Sequence, residues 1–170
     1  MRALCLALII LTSGVASAAA DEVDEVAPLP RKNALLLNVG DLLSGALSLE
    51  YERGIVPWLG INAGLGVAFF PTVWNTDNAK LALRGELGFR FHFIRHAPGG
   101  LWIGPYAMLN TAFDPDAYQR LTWGLGAALG YNFVLGRFFT LQVGFGGGFT
   151  DYGDHVAWTP RLRLALGASF

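Results

Sequence analysis

The stretch "LALRGELGFRFHF", Leu81 to Phe93, divides cleanly by parity. Leu81, Leu83, Leu87, Phe89, Phe91 and Phe93 fall on odd positions, and Arg84, Glu86, Arg90 and His92 on even ones. A helix would scatter these side chains around its axis, whereas a strand sends successive side chains to opposite faces. The segment therefore predicts a strand with one apolar face and one charged face.

The same period recurs along the chain. In "LGINAGLGVAFF" the residues Leu59, Ile61, Ala63, Leu65, Val67 and Phe69 oppose Gly60, Asn62, Gly64, Gly66 and Ala68. In "RLTWGLGAALGYNF" the apolar face is Leu121, Trp123, Leu125, Leu129, Tyr131 and Phe133, and "FFTLQVGFGGGFT" sets Phe139, Leu141, Val143, Phe145 and Phe149 against glycine, Thr140 and Gln142. No segment past the N-terminus supplies the ~18 to 20 unbroken apolar residues of a membrane helix. The longest uncharged runs, such as Ala97 to Phe113, are interrupted by Gly or Pro.

Alternation alone does not say which face meets solvent. In a soluble barrel or sandwich the outward face should carry Lys, Glu and Thr for water to solvate. Here the second face is rich in glycine, which accounts for much of the 22 glycines among 170 residues. A transmembrane barrel inverts the arrangement, with large apolar residues toward lipid and a small, polar interior. The inversion argues against a soluble lipid-carrying barrel.

Strands are predicted at about 34–40, 45–53, 59–70, 80–93, 101–113, 118–133, 138–150 and 156–170. Eight is an even number, as bacterial single-chain barrels require. The connections alternate: "GIVP", "IRHAPGG" and "VLGR" are short turns, while "PTVWNTDN", "DPDA" and "DYGDH" are polar or acidic, and the first such connection, "DLLSG", is apolar. The predicted fold class is all-β, an eight-stranded antiparallel transmembrane β-barrel over 34–170.

The N-terminus has a different character. "MRALCLALIILTSGVASAAADE" places Arg2 before an apolar core and small residues before Asp21, the layout of a cleaved signal peptide over 1–20. The acidic, proline-containing stretch 21–33 reads as a flexible periplasmic segment. Cys5, the only cysteine, would leave with the signal, so disulfide and thiolate chemistry drop out of the mature chain. Losing Arg2 changes 12 bases against 13 acids to 11 against 13, a net −2 that attracts no nucleic acid.

The end of the chain, "RLRLALGASF", alternates Leu162, Leu164, Leu166, Ala168 and Phe170 with Arg161, Arg163, Gly167 and Ser169. It resembles the C-terminal assembly signal of small eight-stranded Gram-negative outer-membrane proteins, carried here by Leu162, Leu164, Leu166 and Phe170. The stretch "NALLLNVGDLLSGALSLEYERGI" is similar to the opening hairpin of a bacterial barrel family of undefined function. The resemblance spans roughly residues 33 to 170. It implies a bacterial outer-membrane location, outer-membrane lipids and the barrel assembly machinery as partners, and no particular activity.

The expected lumen charges are Glu50, Glu52, Arg84, Glu86, Arg90, His92, Arg120, Arg161 and Arg163, a network in which buried ions must pair to offset desolvation. The aromatic residues Trp58, Trp102, Trp123, Trp158, Phe69, Phe70, Phe93, Phe133, Phe138, Phe139 and Phe170 are expected in interfacial girdles near strand ends. No catalytic, cofactor or metal site is expected: "GFGGGF" precedes no helix, and His92, His96 and His155 lack the spacing of metal ligands. The resulting reading is a structural or envelope-interaction barrel with a narrow, charge-paired interior. The alternatives are a narrow gated pore and an outer-leaflet lipid hydrolase. Strand order would bring Ser44 near His155, with Asp151 or Asp154 behind it, as nucleophile, base and orienting acid.

If Phe170 belongs to a recognition strand, deleting it should leave export intact and slow membrane insertion, as followed by pulse-chase fractionation. Unchanged yield and rate would show that the ending is incidental.

Overall fold

The structure, a computed structural model, describes residues 31–44, 46–68, 81–113, 120–153 and 155–170. The expected signal segment 1–20, residues 21–30 of the expected tail, and Phe69 and Phe70 lie outside the described residues. Eight strands follow in order: β1 (Asn33–Asn38), β2 (Ala46–Val56), β3 (Leu59–Ala68), β4 (Leu81–His92), β5 (Gly100–Phe113), β6 (Arg120–Leu135), β7 (Phe139–Asp151) and β8 (Val156–Ser169). A short 3-10 helix, Gly40–Ser44, sits between β1 and β2. Each strand pairs antiparallel with the next, and β8 returns to β1 to close a barrel.

Every strand predicted from parity is present, with the largest shift in β2, which runs on to Val56, while β1 stops at Asn38. Following the register from Ala34 through Glu52, Asn62, Gly88, Tyr106, Gly126 and Gly148 leads to Thr159 on β8. Across the seam Ala34 faces Ser169 instead, ten residues further on, and that offset is the shear of the barrel. Eight strands with this shear tilt by about 40° and leave an interior just wide enough for side chains.

The faces are inverted relative to a soluble protein. Leu65, Leu87, Leu125, Phe145, Phe149 and Leu162 all point outward and are more than half exposed, whereas Glu50, Glu52, Arg90, Asn132, Gln142 and Arg163 are buried inside. An apolar wall around a polar core is stable where the outer solvent is hydrocarbon. The barrel is of the transmembrane kind.

Interior glycines are matched to large neighbours. Trp102, Tyr106 and Met108 on β5 face Gly130, Gly126 and Gly124 on β6. A Cβ on Gly126 would lie 2.6 Å from the Tyr106 ring and 2.6 Å from the Gly147 carbonyl oxygen, so the aromatic ring fits only because the opposing residue has no side chain.

The seam between β1 and β8 is the short side of the wall. It pairs only Ala34–Asn38 with Ala165–Ser169. Phe170 and Asn33 exchange both backbone hydrogen bonds at 2.9 Å, while the Ser169 amide donates to Phe138, so even-numbered residues of β8 aim at β1 and odd ones at β7. Pro160 is even, and it lies beyond the end of β1. The missing N–H of this proline therefore faces the side where no neighbouring strand asks for it. The 3-10 helix packs there instead: a Cβ on Gly40 would come within 2.7 Å of the Leu164 amide.

Two substitutions test the packing. Gly126→Ala should lower stability by about 1–3 kcal/mol through overpacking. Gly85→Ala on the outer face, where a Cβ meets nothing within 4 Å, should be neutral or slightly stabilising. Equal unfolding midpoints in detergent would refute the size matching.

Candidate functional site: an ion-pair ladder inside the barrel

Three strands supply the ladder. Parity places Glu50 and Glu52 of β2, Arg84, Glu86, Arg90 and His92 of β4, and Arg161 and Arg163 of β8 on the inner face. The shear brings these levels together although the residues are far apart in sequence.

From the end with the short turns, His92 Nε2 lies 2.8 Å from Glu52, and Arg90 Nη1 donates to the other Glu52 oxygen at 2.5 Å. The second arm of Arg90 bonds Glu50, whose other oxygen accepts from Arg163. Arg163 also bonds Glu86, and Glu86 accepts in turn from Arg161. The far end is looser, with Arg161 Nη2 at 3.7 Å and Arg84 Nη1 at 3.9 Å from Asp41. Acid and base alternate through the whole sequence His92, Glu52, Arg90, Glu50, Arg163, Glu86, Arg161, Asp41, Arg84.

Glu50 and Glu86 each use both oxygens on different guanidinium groups, Glu52 divides its oxygens between Arg90 and His92, and Arg90, Arg161 and Arg163 each use both arms on different carboxylates. This division offsets desolvation, because each carboxylate and guanidinium of the described ladder has an oppositely charged group beside it. Aromatic rings cover the remaining side. Arg90 Cζ stands 4.4 Å above the centre of Trp102, and Arg161 Cζ stands 5.4 Å from that of Tyr106. Such cation–π contacts gain strength where water is excluded.

Polar side chains shut the end with the short turns. The Asn132 amide oxygen accepts from Trp102 Nε1 and Gln142 Nε2, both at 2.9 Å, and its nitrogen donates to the Pro98 carbonyl at 2.5 Å. His92 Nδ1 lies 2.8 Å from the Gly99 carbonyl, and the Ala97 amide donates to Pro57 at 2.8 Å. The turn between β4 and β5 is thus drawn into the mouth, where Ala97, Pro98 and Gly99 are buried. Beside the ladder, a cavity lined by Ser48, Glu50, Gly64, Arg84, Glu86 and Arg161 holds only about 10 Å³. That is at most room for one water.

The expected lumen residues divide as follows. Glu50, Glu52, Glu86, Arg90, His92, Arg161 and Arg163 stand in the ladder, and Arg84, with 28% of its side chain exposed, stands at its outer end and donates from Nε to Asn110 at 3.1 Å. Arg120 opens β6, and its side chain lies outside the described residues. Leu162, Leu164, Leu166 and Phe170 are exposed on the outer wall and its rim. Trp102 corrects the girdle expectation: it is 2% exposed and lies in the lumen. The physical reason is its even position on β5, opposite Gly130. Trp58, Trp123, Trp158, Phe93, Phe133, Phe138, Phe139 and Phe170 are exposed.

Asp41 was not anticipated. It sits in "DLLSG", whose apolar composition predicts an outward loop, yet it is buried, bonds Ser48 and faces two ladder arginines. Its signal in the sequence is that it is the one charged residue in that loop. Of the hypothetical triad, the Ser44 side chain and Asp154 lie outside the described residues, and His155 is exposed and stacked on Tyr152 at 5.2 Å. Among the described residues no group of three His, Cys, Asp or Glu is placed to hold a metal ion.

No protein-family model matches the chain, and no curated protein matches it. Among solved structures the chain is similar to the backbone structure of the Yersinia pestis outer membrane protein Ail in a phospholipid bilayer nanodisc. The identity is 10%, the match covers 83% of this chain and 100% of that chain, and the TM-score is 0.43.

Proposed function

We propose that this chain is a Gram-negative outer-membrane barrel with a structural or envelope-interaction role, closed to ion flow by its own ladder. The observation that carries the reading is the alternating run of ion pairs from Glu52 to Arg84 inside an apolar wall, with His92 bonded to Glu52 at its end. A conducting pore needs mobile water along its axis, and here the ladder carboxylates and guanidinium groups are spent on one another. The apolar wall supports a bilayer location, and the layout of residues 1–20 supports export.

In this reading the end with the short turns faces the periplasm and the longer, acidic connections face outward. The terminal residues Leu162, Leu164, Leu166 and Phe170 present alternate apolar side chains beside main chain that pairs with β1, which suits strand addition by the assembly machinery. Outer-membrane lipids cover the wall.

The ladder yields a graded expectation. Glu86→Gln leaves both Arg161 and Arg163 short of a charge partner and should lower unfolding free energy by about 3–5 kcal/mol. Arg84→Gln, at the partly exposed end and 3.9 Å from Asp41, should cost no more than about 1 kcal/mol. Denaturant titration in lipid vesicles measures both, with heat-dependent gel mobility reporting closure. Equal, small effects would show that the ladder does not hold the cylinder.

Planar-bilayer recording of the native protein should show no sustained conductance. Long-lived open steps in the native protein would overturn the sealed-interior reading. Lipid deacylation abolished by both Ser44→Ala and His155→Ala, with folding unchanged, would favour the hydrolase.

A further inference from the structure

Among the described residues, the exposed Asp, Glu, Lys and Arg side chains of the short-turn rim are all basic. Among the described residues there, Arg31, Lys32, Arg53, Arg95, His96 and Arg137 are exposed or half-exposed, and the only acidic side chain is Glu52, buried in the ladder. Arg31, Lys32, Arg53 and Arg137 form an arc over the barrel seam. Arg31 donates from Nη2 to the Gly136 carbonyl at 2.8 Å, which brings it beside Arg137. Lys32 is fixed through its backbone, its amide donating to Phe170 at 3.1 Å and its carbonyl accepting from Gly54 at 2.6 Å. Asn33 then faces Arg53 directly across β1 and β2.

The position of Arg53 identifies what lies outside the arc. It occupies the outward row of β2 between Tyr51 and Ile55, the row that continues into Leu49 and the apolar wall. An arginine on that row is tolerated only at headgroup depth, where its cost falls close to zero. Phe138 and Phe170, both more than half exposed, flank the arc, and Trp58 lies in the neighbouring turn. Aromatic rings beside cations mark the interface between acyl chains and phosphate.

We propose that the arc of Arg31, Lys32, Arg53 and Arg137 is a binding site for anionic glycerophospholipid in the leaflet at the short-turn rim. The guanidinium and ammonium groups take the headgroup phosphates, and the acyl chains lie against Phe138, Phe170 and Leu166. A soluble acidic partner would use the cations but not the apolar groups that surround them. The chain's own acidic stretch Asp21 to Glu25 is the competing occupant. The proposal rests on the membrane-spanning reading.

The test incorporates the protein, purified from membranes, into phosphatidylcholine nanodiscs containing one part in ten phosphatidylglycerol, followed by native mass spectrometry of the released protein–lipid complexes. Failure to enter nanodiscs, or no heat-dependent gel mobility there, would count against the spanning barrel and is read separately from lipid choice. The expected result is a bound ratio of phosphatidylglycerol to phosphatidylcholine above the bulk ratio, by about fivefold for each cation engaged, falling as salt screens the contact. The triple variant Arg31→Gln, Arg53→Gln, Arg137→Gln should return the share to bulk, and the corresponding three Lys substitutions should retain most of the enrichment. The salt titration needs no variant, so the proposal remains testable if the triple Gln protein fails to fold. No enrichment in the native protein, or the same enrichment in the Gln variant, overturns the proposal. Enrichment that arises only once residues 21–30 are deleted also overturns it, and assigns the arc to the acidic segment.

Discussion

Closure across the seam is the constraint on which the other features depend. A wall facing hydrocarbon cannot leave a strand edge unpaired, so β8 must return to β1, and β1 offers only six residues for the purpose. Backbone pairing covers the lower part of the seam, and side chains brace the upper part. Arg161 and Arg163 on β8 reach Glu50 on β2 and Glu86 on β4, and Arg161 also approaches Asp41 in the 3-10 helix that fills the space above β1. The ladder is therefore both the filling of the lumen and a set of ties across its weakest join. That second role explains why the described charges cluster on β2, β4 and β8, while β6 sets Gly126 and Gly130 opposite the rings of β5.

A buried ion network is a poor source of net stability when compared with an apolar core of the same shape. In a barrel with an apolar exterior, the comparison changes. If the interior were also apolar, little in the side-chain pattern would distinguish inside from outside, and a one-residue slip in register would cost little. Charged and amide side chains on one parity make the slipped register expensive, because each slip would turn an arginine or glutamate into the hydrocarbon. The alternation of acid with base then adds position along the axis to the choice of face. Trp102 and Tyr106 complete the interior by giving the guanidinium groups flat surfaces to lie against, and the glycines opposite them give the rings space.

Much of this was legible in the sequence because strand parity is a local property. Leu81 to Phe93 reveals its two faces without any knowledge of its neighbours, and the inner residues of β8 follow in the same way from "RLRLALGASF". Partners were not legible, since Arg163 and Glu50 meet across a separation of 113 residues and their alignment depends on the shear. The inward turn of Trp102 is hidden for a related reason: "LWIGPYAMLN" has large residues at both parities, and only the glycines of β6 disclose which ring turns inward. Asp41 was missed because the inward path of its loop follows from the shortness of β1, which ends at Asn38 although the apolar pattern continues beyond it.

The charges of the molecule separate into three populations with different physical roles. In the interior, among the described residues, the carboxylates of Asp41, Glu50, Glu52 and Glu86 match the guanidinium groups of Arg84, Arg90, Arg161 and Arg163 in number. At the short-turn rim the exposed charged side chains are basic, while the sequence puts aspartates such as Asp77, Asp114, Asp116 and Asp151 in or beside the longer connections. Pairing inside the cylinder leaves the wall to lipid and the ladder to closure. Selective recognition therefore has to use the rims, where charged groups keep enough contact with water to exchange one partner for another without the cost of emptying a buried site.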